Sequence, residues 1–296
     1  MRRIRRWGPA ALLIAPSLVA IGVFVYGFLG WNLRVSLSDW RGLRATYDFA
    51  GFDNYTRLAD DSRFIDGVQN VVIFTLVFIT GTLIAGFLLA LLLERGVKGE
   101  AFFRAVFLFP MAISFIATAI IWRWLLSNAS GSQETGLNKL FNDVGLDFLI
   151  NDWFKSNSAW AMVSVAIAAS WALVGYIMAL FLAGLRGISD DIREAARVDG
   201  ASNTKAFWYV IRPMLVPVVM SAIVILAHIS LKTFDLIYAM DAKSRKIETP
   251  ALYMWFTTFE GLNFSRGAAI ATLLVLGIAI VIVPYIWYSV RSERRS

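Results

Sequence analysis

Ser221, His228, Lys232 and Asp235 are hydrogen-bonding and titratable side chains set within one long apolar run. Their separations of seven, four and three residues predict one shared helical face. An imidazole, an ammonium, a hydroxyl and a carboxylate on such a stripe can bond the hydroxyls of a polar solute or relay a proton. A charged side chain near the bilayer centre costs about 2.5–3.5 kcal/mol. The stripe is therefore expected to face a partner helix or an aqueous cavity, never lipid. For His228 we prefer the solute-lining role. For Lys232 and Asp235 a plain structural pair near the outer end of the helix stands equally beside it.

A second cluster, EAARVDGASNTKAFWYVIRP, spans Glu194 to Pro213 between two apolar runs. Ile192, Ala195, Ala196 and Asp199 follow the i, i+3, i+4, i+7 pattern of one helical face, with only Asp199 polar. Asp190 and Asp191 suit the N-terminal end of that helix, and Gly200 suits a left-handed cap at its C-terminal end. Ser202 or Asn203 can start a second short helix, which Pro213 is expected to close. Alanines on the exposed face permit close backbone approach, so the segment is read as shaped for a partner's groove.

The elements that position these residues follow from composition. The chain has 296 residues, 58% of them hydrophobic, and a mean hydropathy of +0.64, against about 45–50% apolar residues in soluble domains. It has no cysteine and a single histidine, which excludes disulfides, thiol nucleophiles and multi-histidine metal centres. The net charge of +7 suits loops at a membrane surface rather than a nucleic-acid partner. Phosphate-loop, zinc-protease and serine-hydrolase signatures are all missing from the sequence.

Six apolar runs are long enough to cross a bilayer: about 8–33, 68–93, 105–125, 159–185, 214–236 and 267–290. The first is too long for a cleaved signal segment and is read as a retained helix. Glycines 81, 86, 175 and 184 lie within runs and are read as close-packing positions. Basic residues are densest at Arg2, Arg3, Arg5 and Arg6, at Arg95, Lys98 and Arg104, around Arg186–Arg212, and at Arg291, Arg294 and Arg295. These predict cytoplasmic termini and a cytoplasmic 188–213 loop. The expected fold is thus an all-α membrane protein: six spans in one domain, residues 1–296, with a helical cytoplasmic loop.

Glu194, Ala195, Ala196 and Gly200, with Pro213, keep the spacing of the EAA loop, and the segment resembles that of permease subunits of binding-protein-dependent ABC importers. Val210 replaces the family's isoleucine, and Arg212 departs from its leucine. The stretches GEAFFRAVFLFPMAISFIATAIIWRWLL and MALFLAGLRGISDDIREAARVDGAS look like the carbohydrate branch of that family. FPMAISF with ILAHISLKTFDLIYAM is most similar to glucose/mannose and α-glucoside permeases, whereas DAKSRK replaces a glycine-rich turn.

That resemblance implies a translocation subunit without catalytic residues of its own, carrying glucose, mannose or a small glucoside. It implies a second permease subunit, two ATPase subunits that hold ATP and Mg, and an extracytoplasmic sugar-binding protein. Glu194, Ala195, Ala196, Asp199, Gly200 and Pro213 would then form the ATPase-coupling loop, with Glu194 the charged contact. Glu194 can alternatively form a solvated pair with Arg197 on its own helix. The sugar pathway would draw on Trp171, Tyr176, Ser221, His228, Lys232 and Asp235, aromatic faces meeting the ring and polar groups its hydroxyls. Trp31, Trp122, Trp124 and Trp287 are read as interfacial belts, and Asn70 as either a helix cap or a pathway residue. An ion-driven transporter using Lys232 and Asp235, and an intramembrane enzyme, are the weaker alternatives.

Overall fold

The computed structural model describes residues 13–293. The Arg2–Arg6 cluster, the first residues of the first run and Arg294–Arg295 lie outside the described residues, as do the two ends of the expected domain. The described elements are helical apart from two isolated bridges, Ser38–Phe49 and Arg41–Asn263. Helix α1 is Leu13–Ser36, α2 Asp53–Ala59, α3 Ser62–Glu94, α4 Glu100–Leu108, α5 Phe115–Leu125 and α6 Gly136–Asp143. Helix α7 is Trp160–Arg186, α8 Asp190–Val198, α9 Asn203–Leu231, α10 Asp235–Asp241, α11 Pro250–Trp255 and α12 Phe264–Glu293. Five of these are long and apolar enough to cross a membrane, or six if the bent pair α4–α5 counts as one span.

The third apolar run is not one straight helix. The chain turns by 99° between Glu100–Ala112 and Phe115–Leu125. Pro110 removes a backbone donor, Phe109–Ala112 tightens into a 3₁₀ turn, and Ile113 is extended. Ser114 then starts the next helix, its side chain accepting from the Ala117 backbone N–H at 3.2 Å.

The second helix of the 188–213 loop is not short, and Pro213 does not close it. Helix α9 runs on through Pro213 to Leu231, because a π-helical turn at Phe207–Ile211 loosens the ladder just where the proline lacks a donor. The expected fifth span to residue 236 also ends early. Lys232 caps α9, Phe234 leaves helical geometry (φ −121°, ψ −57°), and Asp235 opens α10.

The contacts divide the chain into two compact units. The first joins residues 1–61 to 253–275. In its described part, Trp40 stacks on Phe264 with ring centroids 4.8 Å apart. The Asn32 amide donates to the Ala268 carbonyl and the Thr272 hydroxyl at 3.1 and 3.0 Å. Asp61 accepts from the Tyr253 hydroxyl at 2.6 Å and pairs with Arg266.

The second unit joins residues 62–252 to 276–296. Helices α3 and α7 form its core, with Phe74, Phe78 and Ala90 of α3 and Ile177, Met178 and Phe181 of α7 all buried. Association of spans in lipid rests on van der Waals fit rather than on a hydrophobic drive, and glycines supply that fit. A methyl group at Gly175 would collide with the Phe107 carbonyl, and one at Gly86 would press on Ile177. The packing expected of these two positions is therefore what the structure contains.

Candidate functional site

Helix α8 stands between two turns. Ser189 precedes it in extended geometry (ψ 147°), Asp190 and Asp191 fill its first turn, and Arg197 lies in its last. That order of charge opposes the helix dipole favourably at both ends. The helix closes at Gly200, whose φ is +78°. The Ala201 N–H reaches the Ala196 carbonyl at 2.9 Å and the Gly200 N–H reaches Arg197 at 3.0 Å. This paired closure needs a left-handed residue between its two bonds.

The four residues expected on one outward face divide. Ala196 is buried and Ile192 half-buried, while Ala195 and Asp199 are exposed along with Glu194 and Val198. A single helix lying against protein must turn one side inward, and Ala196 is small enough to be that side. Among the described residues Glu194 and Arg197 form no ion pair, so Glu194 points its carboxylate outward without that partner.

Arg193 faces the body instead. Its Nη2 donates to Glu94 Oε1 at 2.6 Å and to the Leu185 carbonyl at 2.9 Å. Glu94 ends α3 and Leu185 lies in the last turn of α7, so one guanidinium joins three helices. At the same corner Arg186 meets Glu100 at 2.7 Å, tying the end of α7 to the start of α4.

The second feature is a cavity of about 210 Å³, lined by Phe74, Phe78, Phe115, Ala169, His228, Ile229, Lys232, Thr233, Phe234, Asp235 and Leu236. His228, Lys232 and Asp235 thus come together, although Asp235 is not on their helix. The break after Leu231 turns Asp235 into the first residue of α10, where a carboxylate suits a helix N-terminus. No ion pair joins Lys232 to Asp235 among the described residues, so the plain structural pair is not what the structure contains. All three of these polar groups are exposed.

The remaining sequence-chosen residues lie elsewhere. Ser221 donates to the Pro217 carbonyl at 2.9 Å. Trp171 packs edge-on against Trp122, centroids 6.2 Å apart, and Tyr176 is half-buried on α7; neither lines the cavity. Asn70 is neither cap nor cavity residue, since it lies inside α3 and donates to the Glu248 carbonyl at 2.9 Å.

Sequence reasoning missed the aromatic wall. Phe74 and Phe78, stacked at 5.4 Å, sit one helical turn apart, and that spacing in the second run is the signal that was available. Phe234 stacks on Tyr238 at 5.3 Å across the opening turn of α10. Rings beside an imidazole, an ammonium and a carboxylate form a wall able to hold a solute with both apolar and hydroxylated faces.

Residues 82–295 match the family of binding-protein-dependent transport system inner membrane components. The chain is 38% identical to a probable ABC transporter permease of Pyrococcus horikoshii, over 96% of both chains. It is 35% identical to the xylose/arabinose import permease of Haloferax volcanii, covering 93% of this chain and 86% of that one. In fold it is similar to a chain of a bacterial alginate ABC transporter solved in complex with an alginate pentasaccharide-bound periplasmic protein. That match has a TM-score of 0.77 and 19% identity, over 99% of this chain and 96% of the other. With most of its length inside the family's match and its apolar helices of membrane-spanning length, the chain belongs to the inner-membrane components of binding-protein-dependent ABC transport systems.

Proposed function

We propose that this chain is one of two permease subunits of an ATP-driven sugar importer. It carries α8 into a cleft of a separate ATPase and contributes the α3–α5–α9–α10 cavity to the sugar path. The observation that carries the coupling half is the exposure of Glu194, Ala195 and Asp199 on a helix whose opposite side is anchored by Ala196 and Arg193. A helix held on one side and bare on the other is built to be gripped. Gly200 and Pro213 belong to the same device. Gly200 closes α8, and Pro213 lies just past the π turn through which α9 enters the membrane.

In this reading the termini and α8 are cytoplasmic, as the density of basic residues implies. ATP and Mg are held by two ATPase subunits, and an extracytoplasmic binding protein delivers the sugar. The chain itself performs no bond chemistry. His228, Lys232 and Asp235 serve as hydroxyl partners, with Phe74, Phe78 and Phe115 against the ring. Trp171, Tyr176 and Ser221 would act further along the path. The cavity is below the roughly 300–1,000 Å³ of drug-sized pockets, which suits a single sugar ring. Glucose, mannose or a small glucoside is the favoured cargo. The xylose/arabinose relative favours an aldopentose as the second reading.

The test is ATP hydrolysis by the purified complex with its cognate binding protein. Glucose, mannose, α-glucosides, xylose, arabinose and an amino-acid mixture are supplied in turn. One sugar class should stimulate hydrolysis severalfold. Stimulation by amino acids alone, or uptake without any ATPase partner, would overturn the assignment.

A further inference from the structure

Helix α8 is tied to its unit by two short linkers and by a packed inner side, where Ala196 is buried and Ile192 half-buried. It leaves α7 through Gly187–Ser189 and reaches α9 through Asp199–Ser202, the latter across the left-handed Gly200. A rod held at its two ends over non-directional apolar packing can roll about the line joining those ends. Force applied to its outer face would then be spent on rotation. Preventing that roll requires a directional attachment to an element not adjacent in the chain.

The Arg193–Glu94 pair is such an attachment. The residues are 99 positions apart, and the contact is 2.6 Å. The side chains are only 24% and 21% exposed, so the attraction is less screened than at an open surface. The same Nη2 also holds the Leu185 carbonyl at 2.9 Å, while Nε is buried without a partner. The guanidinium is thus committed to this corner, because removing its carboxylate would strand a partly desolvated charge.

We propose that Arg193 is a positioning residue for coupling, a strut that locks α8 to the end of α3 so that displacement of α8 is delivered to a membrane span. The proposal rests on the reading of α8 as the ATPase-docking helix. It assigns the transmission step to an ion pair on the inward face, opposite the exposed residues that would touch the ATPase.

The absence of cysteine makes spin labelling direct. One label pair, D190C with R95C, spans the strut from the start of α8 to the end of α3. A second, D66C with D143C, reports the far end of the same unit. Both are measured in the complete importer with its binding protein, without nucleotide and after trapping with ATP and vanadate. With the native strut, the near-end distance should stay fixed while the far-end distance shifts. In R193A or E94A the near-end distribution should broaden and the far-end shift should be lost, with ATP hydrolysis continuing. R193K should retain part of the shift, and the charge swap E94R/R193E should restore it.

A far-end shift in R193A and E94A equal to that of the native strut would overturn the proposal. So would a swap that assembles but does not shift, which also decides the matter if the single variants fail to assemble. A far-end distance indifferent to ATP with the strut intact would instead defeat the coupling role of α8, and the strut with it.

Discussion

Arg63 and Glu248, 185 positions apart, meet through both arms of the guanidinium fork, Nε to Oε2 and Nη2 to Oε1, each at 2.6 Å. The Glu248 side chain is only 4% exposed. Asn70 holds the Glu248 carbonyl, and Gly67 lies against Thr249 and Pro250. The start of α3 is thereby pinned to the segment that leads into α11. Two parallel charge-assisted bonds fix orientation as well as distance.

Removing one side of that pair strands the other. Arg63→Ala is expected to destabilise the protein by about 3 kcal/mol, the cost of leaving a buried carboxylate unpaired. Arg63→Lys, which keeps the charge and loses the fork, should cost less. Thermal unfolding in detergent, followed by the loss of monodisperse protein, checks both.

Gly200 occupies a left-handed backbone that costs a residue with a Cβ about 1–2 kcal/mol. Gly200→Val should therefore loosen the closure of α8, and Glu194→Lys should reverse the charge on its exposed face. In either variant, sugar-stimulated ATP hydrolysis should fall roughly tenfold, within the usual range of coupling energies. Membrane insertion should stay normal. Undiminished stimulation in both would count against the docking role.

At Gly175 the α7 backbone lies against the Phe107 carbonyl, with no room for a methyl group. Gly175→Ala should cost about 1–3 kcal/mol through forced separation of α7 from α4. Gly81→Ala, where the nearest atom would be 3.7 Å away, should be nearly silent. Comparing the thermal stability of the two separates close approach from a general intolerance of side chains in the spans.

His228 projects from α9 into the cavity. His228→Ala is expected to weaken sugar-dependent stimulation about tenfold in half-saturating concentration, the loss of one hydrogen bond to the solute. Assembly and thermal stability should be unchanged. A fall in expression without a change in half-saturation would make the residue structural.

The apolar runs and α8 were legible because their signals are local. A run of roughly twenty apolar residues must span or be buried, and Asp190, Asp191 and Gly200 mark the ends of a helix through groups within a turn of it. The EAA spacing carried the family for the same reason. The two ends of α9 show where local signals mislead. Pro213 reads as a stop, yet a π turn before it lets α9 continue. Nothing in LKTFD announces that the helix ends at Leu231, so the spacing alone puts Asp235 on α9 when it opens α10.

By itself, then, the sequence determined an all-α membrane chain, the places of its long apolar helices and the short capped helix α8. Each follows from periodicity and capping within a few residues. Only the tertiary structure decided that Phe74, Phe115, His228 and Asp235 share one cavity, and that Glu94 and Glu248 each receive an arginine from far along the chain. Those meetings depend on how helices cross and where they bend. Crossings and bends are fixed by packing between distant surfaces, which no short stretch of chain encodes.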